Sequence, residues 1–359
     1  MTNRQIACLA CATAVVTTLL GAAGPTAADP LAAVPKVHRV KAGASIQKAV
    51  DAAKPGDTVL LAPGTYRQSV RITTSNLTLR GSGVLPTVLV PATTPAADDT
   101  CAKAGNGVCV TGTESSPVTG VTVRSLTLRG FASSGLWSAW TDRLKVQYVV
   151  AEKNGKWGIG QERSVRGAFS RNVVRGNGDA GIFLANTIDR EHGSTDARGA
   201  SVSRNHITGN RIGITVRRLR NVTVERNVAT GNCAGLFVVG DESRPRAEAT
   251  VRRNDISANN KHCPATPRLP FLQGSGIVLT GAEESLIERN RVVDNVGTSP
   301  LSGGIVLFKS FVGASNDQNE IRDNVVLRNS TADLADRDVG KGNAFVGNRC
   351  TVSEPAGMC

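Results

Sequence analysis

Two asparagines five residues apart recur six times along the chain, as Asn172/Asn177, Asn205/Asn210, Asn227/Asn232, Asn254/Asn259, Asn290/Asn295 and Asn324/Asn329. After the second asparagine comes a glycine and an alternating apolar run, as in Gly181-Ile182, Gly213-Ile214, Gly235-Leu236, Gly276-Ile277 and Gly304-Ile305. Successive first asparagines are 33, 22, 27, 36 and 34 residues apart. The shortest step sets the unit and the longer ones carry loop insertions.

A unit of about 22 residues with period-two apolar runs is too short to be a domain. It holds short strands such as Val222–Val224 and Leu236–Val238 between Asn/Gly corners. Such a unit buries its apolar face only by stacking on its neighbours, about 4.8 Å away. Asparagine suits the corners because it tolerates left-handed backbone and because its amide can bond the same amide one coil on. The alternation places Gly+1 and Gly+3 inward, as in Ile214/Val216 and Ile305/Leu307, and Gly+2 outward. The outward column is then Trp137, Phe183, Thr215, Phe237, Val278 and Val306. A leucine-rich repeat would need a leucine framework that is absent, and a β-propeller a period nearer forty.

The open end of such a stack needs a cover. Ser45 is placed to N-cap a short helix, Ile46–Ala53, which Pro55-Gly56 ends. Strands at Thr58–Leu61, Val70–Ile72 and Leu77–Leu79 open the first coil, and roughly ten coils fit between Thr58 and Cys350.

The stretch SIQKAVDAAKPGDTVLLAPGTYRQSVRITTSNLTLRG, Ser45–Gly81, resembles the N-terminal capping region of right-handed parallel β-helix proteins of the pectin-lyase-like superfamily. The repeats over Arg171–Asn348 resemble that superfamily's coils. The resemblance implies an all-β, single-stranded right-handed parallel β-helix with a short N-terminal capping α-helix. It is nearly silent on function, because the superfamily includes lyases, hydrolases, epimerases, adhesins and non-enzymes. The Asn-Thr-Asp, Asp-Asp and Gly-His-Gly motifs of polygalacturonases are absent, as is the Asp-Pro-His-Asp of mannuronan epimerases. Glu191-His192-Gly193 is a faint echo only.

Residues 1–28 carry one charge, Arg4, before an apolar run and a Thr26-Ala27-Ala28 stretch, the layout of a secretory signal peptide. Six cysteines follow it, and an even count in an exported chain reads as disulfides. Sequence proximity favours Cys101–Cys109 and Cys350–Cys359, which leaves Cys233–Cys263. The expected organisation is signal peptide 1–28, N-terminal segment and capping helix 29–57, β-helix 58–350 and a disulfide-closed tail 351–359. With four His and two Met, a soft-ligand metal centre is not expected. No segment beyond the signal reads as a membrane span.

In enzymes of the superfamily, the active site usually lies on the outer face of one sheet and the loops beside it. Here the aromatics Trp137, Phe183 and Phe237 are candidates for stacking on a sugar, unless the Pro-rich insertion His262–Gly274 covers that column. Charge gathers one step along, at the strand ends: Glu162 and Arg163, then Asp189 and His192, Arg217 and Arg218, Asp241, and Lys309. A β-eliminating lyase needs a group that neutralises the uronate carboxylate and a base for the α-proton. Arg217 or Arg218 fits the first role, and His192, Lys309 or another arginine the second, with Ca²⁺ required only if acids replace the arginine. A hydrolase would need two carboxylates, for which Asp189 and Asp241 are the best-spaced pair.

The formal charge of +13 points to an anionic partner, although Arg171, Arg204, Arg226, Arg253 and Arg289, each preceding a first asparagine, make part of it a repeat effect. Those arginines either lay their stems over the corner backbone or form an anion-binding ridge. The expected protein is a secreted, monomeric β-helix that binds or processes an extracellular acidic polysaccharide, with lyase chemistry ahead of hydrolysis. The alternative is a non-catalytic β-helix that binds carbohydrate or cell envelope. No nucleic-acid partner and no resident cofactor are expected.

Overall fold

The computed structural model describes residues 34–94, 99–189, 192–240 and 243–359. The expected signal peptide and Asp241 lie outside them. Short strands stack into three long parallel sheets of twelve, ten and eleven strands. We call these sheets one, two and three, in the order a coil visits them. One coil runs Ala168–Ser170 in sheet one, Val173–Arg175 in sheet two and Ala180–Ala185 in sheet three, then returns to sheet one at Thr195–Ser203.

Register is fixed by the alternation. Ile182, Ile214, Leu236, Ile277 and Ile305 stack in one row pointing inward, and none is exposed. A one-residue slip would turn each row outward, so the pattern permits one register. The short helix forms at Ile46–Ala52, with the Ser45 hydroxyl accepting from Lys48 N at 3.2 Å and Ile46 and Val50 buried. The stack reaches past both expected boundaries. Val37–Val40 pairs with Thr58–Leu61 before the helix, and Ser353–Glu354 pairs with Leu334–Ala335 in the tail.

The corners correct one expectation. The left-handed residue is not the asparagine but the one before it: Arg171, Arg204, Arg226, Arg253 and Arg289 have φ of 53–56°. At the second corner, Gly176, Gly209 and Gly231 do the same. The asparagine follows with its side chain turned into the coil. It is buried because its amide replaces backbone partners that a tight corner cannot supply. From Asn172 through Asn205, Asn227, Asn254, Asn290 and Asn324 to Asn348, each Nδ2 donates to the next Oδ1 at 2.9–3.0 Å. The same oxygens also accept the preceding asparagine's backbone N–H. A second ladder runs from Asn154 to Asn329 and ends on Asp333. Asp333 also accepts from the backbone of Thr351 and Val352, so an acceptor-only side chain closes the ladder.

All three disulfides form as the sequence suggested, with Cα separations of 5.8, 6.0 and 5.2 Å for Cys101–Cys109, Cys233–Cys263 and Cys350–Cys359. A second apolar cluster lies outside the coil on sheet three. Phe237, Val278 and Val306 belong to it and are covered by Leu272, Leu301 and the Cys233–Cys263 bridge. The Pro-rich insertion is therefore a lid. Phe237, 2% exposed, cannot stack on a sugar, which corrects its candidacy. Among the described residues, no helix is long and apolar enough to cross a membrane.

Candidate functional site

Sheet three passes to sheet one through Trp140, Arg163, Asn186 and Arg218, stacked coil on coil. In the first three of these coils the corner opens into a cleft of about 560 Å³. Trp140, Arg163, Asn186, Thr187, His192 and Asp196 line it, with Glu114, Ser164, Val165 and Thr195. Trp140 and Arg163 both have positive φ, which swings their side chains off the sheet. The Arg163 guanidinium lies 5.7 Å from the centre of the Trp140 ring.

Arg163 is already held. Its Nη2 donates to Asp189 Oδ1 at 2.5 Å and to the Thr187 hydroxyl at 3.1 Å. The Thr187 hydroxyl also donates to Asp189 at 2.6 Å. That hydroxyl, and then Arg163, keep the Asp189 carboxyl below its ordinary range. Glu162, one residue before, is the opposite case. It is 9% exposed and its Oε2 has no partner. Burial pushes its carboxyl up, against the pull of Arg163. Two acids beside one arginine are thus driven apart in acidity, an arrangement that separates acid and base roles.

His192 sits on the loop that closes the cleft. Its Nδ1 lies 2.8 Å from Gly193 O, which Asn186 Nδ2 also reaches at 2.8 Å. A carbonyl only accepts, so Nδ1 is the donor in this bond and Nε2 is the ring nitrogen left for a ligand. Gly193 is required there, because a Cβ would stand 2.6 Å from Arg244 O.

Beside the cleft, on the outer face of sheet three, Trp137, Trp157 and Phe183 form a stack. Centroids are 5.1 and 4.4 Å apart and the planes tilt by 21° and 7°. Gly160 makes room: a Cβ would stand 2.6 Å from Trp137 and 3.1 Å from Trp157. Trp157 donates its indole N–H to Asp179 and carries the Lys156 ammonium on its face. Phe183 is 7% exposed, so Trp137 is the open end of the stack.

Of the residues expected at the strand ends, Arg163, Asp189, His192 and Glu162 gather at this corner. Arg217 shares a row with Glu162 two coils away, and both Arg217 and Arg218 are engaged in contacts. Arg218 is 1% exposed and does not face the cleft. Lys309 is five coils, about 24 Å, from Arg163, too far to serve one site with His192. Asp241 lies outside the described residues. None of the sequence patterns above marks Trp140, Asn186, Thr187 or Asp196 for this cleft. Asn186 and Thr187 come from a loop, and Asp196 from the irregular start of the Thr195–Ser203 strand, with no period to mark them. Among the described residues, no cluster of three or more His, Cys, Asp or Glu gathers to hold a metal ion.

A right-handed β-helix region family matches residues 192–358. No curated protein is close enough in sequence to count as a relative. Among solved structures, the AlgE6 A-module of an Azotobacter vinelandii mannuronan C-5 epimerase superposes with a TM-score of 0.60 at 20% identity, over 86% of this chain and 90% of that one. The AlgE4 A-module from the same organism gives 0.60 at 17%, over the same shares. DFA-IIIase from Arthrobacter chlorophenolicus A6 gives 0.54 at 16%, over 84% of this chain and 85% of that one. At these identities the likeness is one of fold. Three coil-paired sheets, two asparagine ladders and these matches make the chain a right-handed parallel β-helix repeat protein with the pectin-lyase-like fold.

Proposed function

We propose that the protein acts outside the cell on an acidic polysaccharide and holds one of its sugars in the corner cleft. The observation that carries this reading is the cleft's lining: an indole face at Trp140, a cation at Arg163, an imidazole at His192 and short polar groups at Asn186 and Thr187. An aromatic face with a few convergent polar groups suits a pyranose ring, and the guanidinium suits its carboxylate. The similar folds support it, since they include a mannuronan C-5 epimerase and DFA-IIIase. Three disulfides support an oxidising compartment.

The chemistry we propose is β-elimination. His192 Nε2 takes the proton from the carbon bearing the carboxylate, and Arg163 stabilises the charge that builds on that carboxylate. The C–O bond on the next carbon breaks, a C=C bond forms, and the imidazolium returns its proton to the leaving oxygen. Asp189 competes for Arg163, so the substrate must displace or share that contact. This competition also favours the second reading, a cleft that binds without turnover.

The test is incubation of the mature chain with polygalacturonate, alginate, hyaluronan and chondroitin, with and without Ca²⁺. Absorbance of the unsaturated product and reducing ends are followed together. Elimination predicts absorbance and reducing ends in step, both lost in His192→Ala. Reducing ends without absorbance would mean hydrolysis, and no product with retained binding would leave the non-catalytic reading.

A further inference from the structure

The corner between sheets one and two carries a second feature. Arg171, Arg204, Arg226, Arg253 and Arg289 occupy it in five successive coils, all exposed. Each backbone N–H bonds the residue at the end of the next sheet-one strand, so the arginines stack at coil spacing, about 4.8 Å. The acids nearest in sequence do not neutralise them. Glu225 pairs with Arg252 at 2.9 Å and Glu288 with Arg322 at 3.0 Å. Among the described residues, the side chains of Arg204, Arg226, Arg253 and Arg289 make no hydrogen bond or ion pair.

Two internal comparisons show that the fold does not require this. Four arginines of the same left-handed backbone elsewhere hold an aspartate: Arg143 and Arg166 on Asp142, Arg163 on Asp189, Arg328 on Asp294. In the coils of Arg171, Arg204 and Arg226, the equivalent corner residues before the second asparagine are Gly176, Gly209 and Gly231. Glycine meets that φ without strain, so arginine here adds charge beyond what the corner needs.

The ridge also has a rail and an end. Beside it on sheet two run Val173, His206 and Val228 in one row, at least partly exposed. At its low end, a cavity of about 460 Å³ opens around Tyr148. Arg171 donates to the Tyr148 hydroxyl at 2.8 Å, and Arg124 and Arg171 lie 5.7 and 5.5 Å from its ring centre.

We propose that this ridge is a binding site for a linear polyuronate lying along the helix axis, one carboxylate per coil, with its ring faces at the low end on the row of Val173, His206 and Val228 and its end at Tyr148. One coil matches the advance of one sugar along an extended uronan. A nucleic-acid strand, with a charge about every 3.4 Å, does not keep that step. The ridge is distinct from the corner cleft and does not depend on turnover there.

The test is calorimetric binding of polygalacturonate to the mature chain across a salt series. Its fully methyl-esterified form and inorganic polyphosphate serve as comparisons. Wild type binds polygalacturonate, with affinity falling as salt rises. Arg204→Gln, Arg226→Gln and Arg253→Gln together cost roughly tenfold or more and lower the salt slope by about the charges removed. Lysine at the same three positions retains most of the affinity, and Trp140→Ala in the cleft leaves this component unchanged. Unchanged affinity in the glutamine triple, equal binding of the ester, or polyphosphate binding more tightly per charge would each overturn the proposal. Ridge binding without product on any polymer would defeat the elimination reading and leave the ridge standing. Product with an unaffected glutamine triple would do the reverse.

Discussion

Asn210 donates its Nδ2 to Asn232 Oδ1 at 3.1 Å, and its backbone N–H reaches the same oxygen at 2.9 Å. Asn232 in turn donates to Asn259, Ile207 O and Thr230 O. Neither asparagine is exposed. One side chain therefore satisfies polar groups on three coils, and the coils are locked in register by it.

Asn232→Ala orphans the Asn210 backbone N–H and takes one donor each from Ile207 O and Thr230 O in a dry corner. Each buried unpaired group costs about 1–3 kcal/mol, so a total loss of roughly 2–4 kcal/mol is expected. Urea unfolding should show it as a lower midpoint with an unchanged slope. A shift no larger than that of a surface substitution would remove the ladder from the stability argument.

Gln161 points into the coil between Ser138 and Leu184, with neither amide atom bonded and no exposure. Gln161→Leu keeps the volume and removes two unsatisfied polar atoms. A gain of about 1–3 kcal/mol is expected, read as a raised melting temperature.

Glu162 gives a pH dependence with a definite sign. Its carboxyl is raised in the fold, chiefly by burial, so the folded state holds the proton more tightly than the unfolded chain. Its contribution is present below the unfolded value of about 4.3 and is lost as pH rises through the folded value. Glu162→Gln should therefore stabilise the protein at pH 7, by about 1 kcal/mol for one relieved buried atom, and change little at pH 4. A gain at pH 4 equal to that at pH 7 would contradict this.

Arg211 is 7% exposed and donates to Pro264 O at 2.6 Å and Pro270 O at 3.4 Å, pinning the lid from beneath. Arg211→Ala removes both bonds while Cys233–Cys263 still tethers the loop. Hydrogen exchange should accelerate over the lid while the Asn205–Asn254 ladder stays protected. Equal acceleration in both would mean that Arg211 supports the coil rather than the lid.

The coils were legible because they repeat. Asn172 and its counterparts announced the ladders, the glycine after each pair opened the inward row, and the lid could be named from His262–Gly274. The left-handed position was misassigned to asparagine, though Gly176-Asn177, Gly209-Asn210 and Gly231-Asn232 carried the signal. The cleft was only half legible. Arg163, Asp189 and His192 stood out as charge at strand ends, but Asn186 and Thr187 are loop residues placed by one insertion and mark no period. Lys309 shares the strand-end edge, yet coil spacing along the axis keeps it from His192. Arg211 carried no signal, since its role depends on a lid that folds back from 53 and 59 residues away.

The most direct measurement is a structure of the protein with a uronate oligosaccharide bound. One ring is expected against the Trp140 indole, with its carboxylate on Arg163 and the adjacent C–H facing His192 Nε2. Sugar found only elsewhere, or a cleft left empty at saturating oligosaccharide, would contradict the assignment of the site.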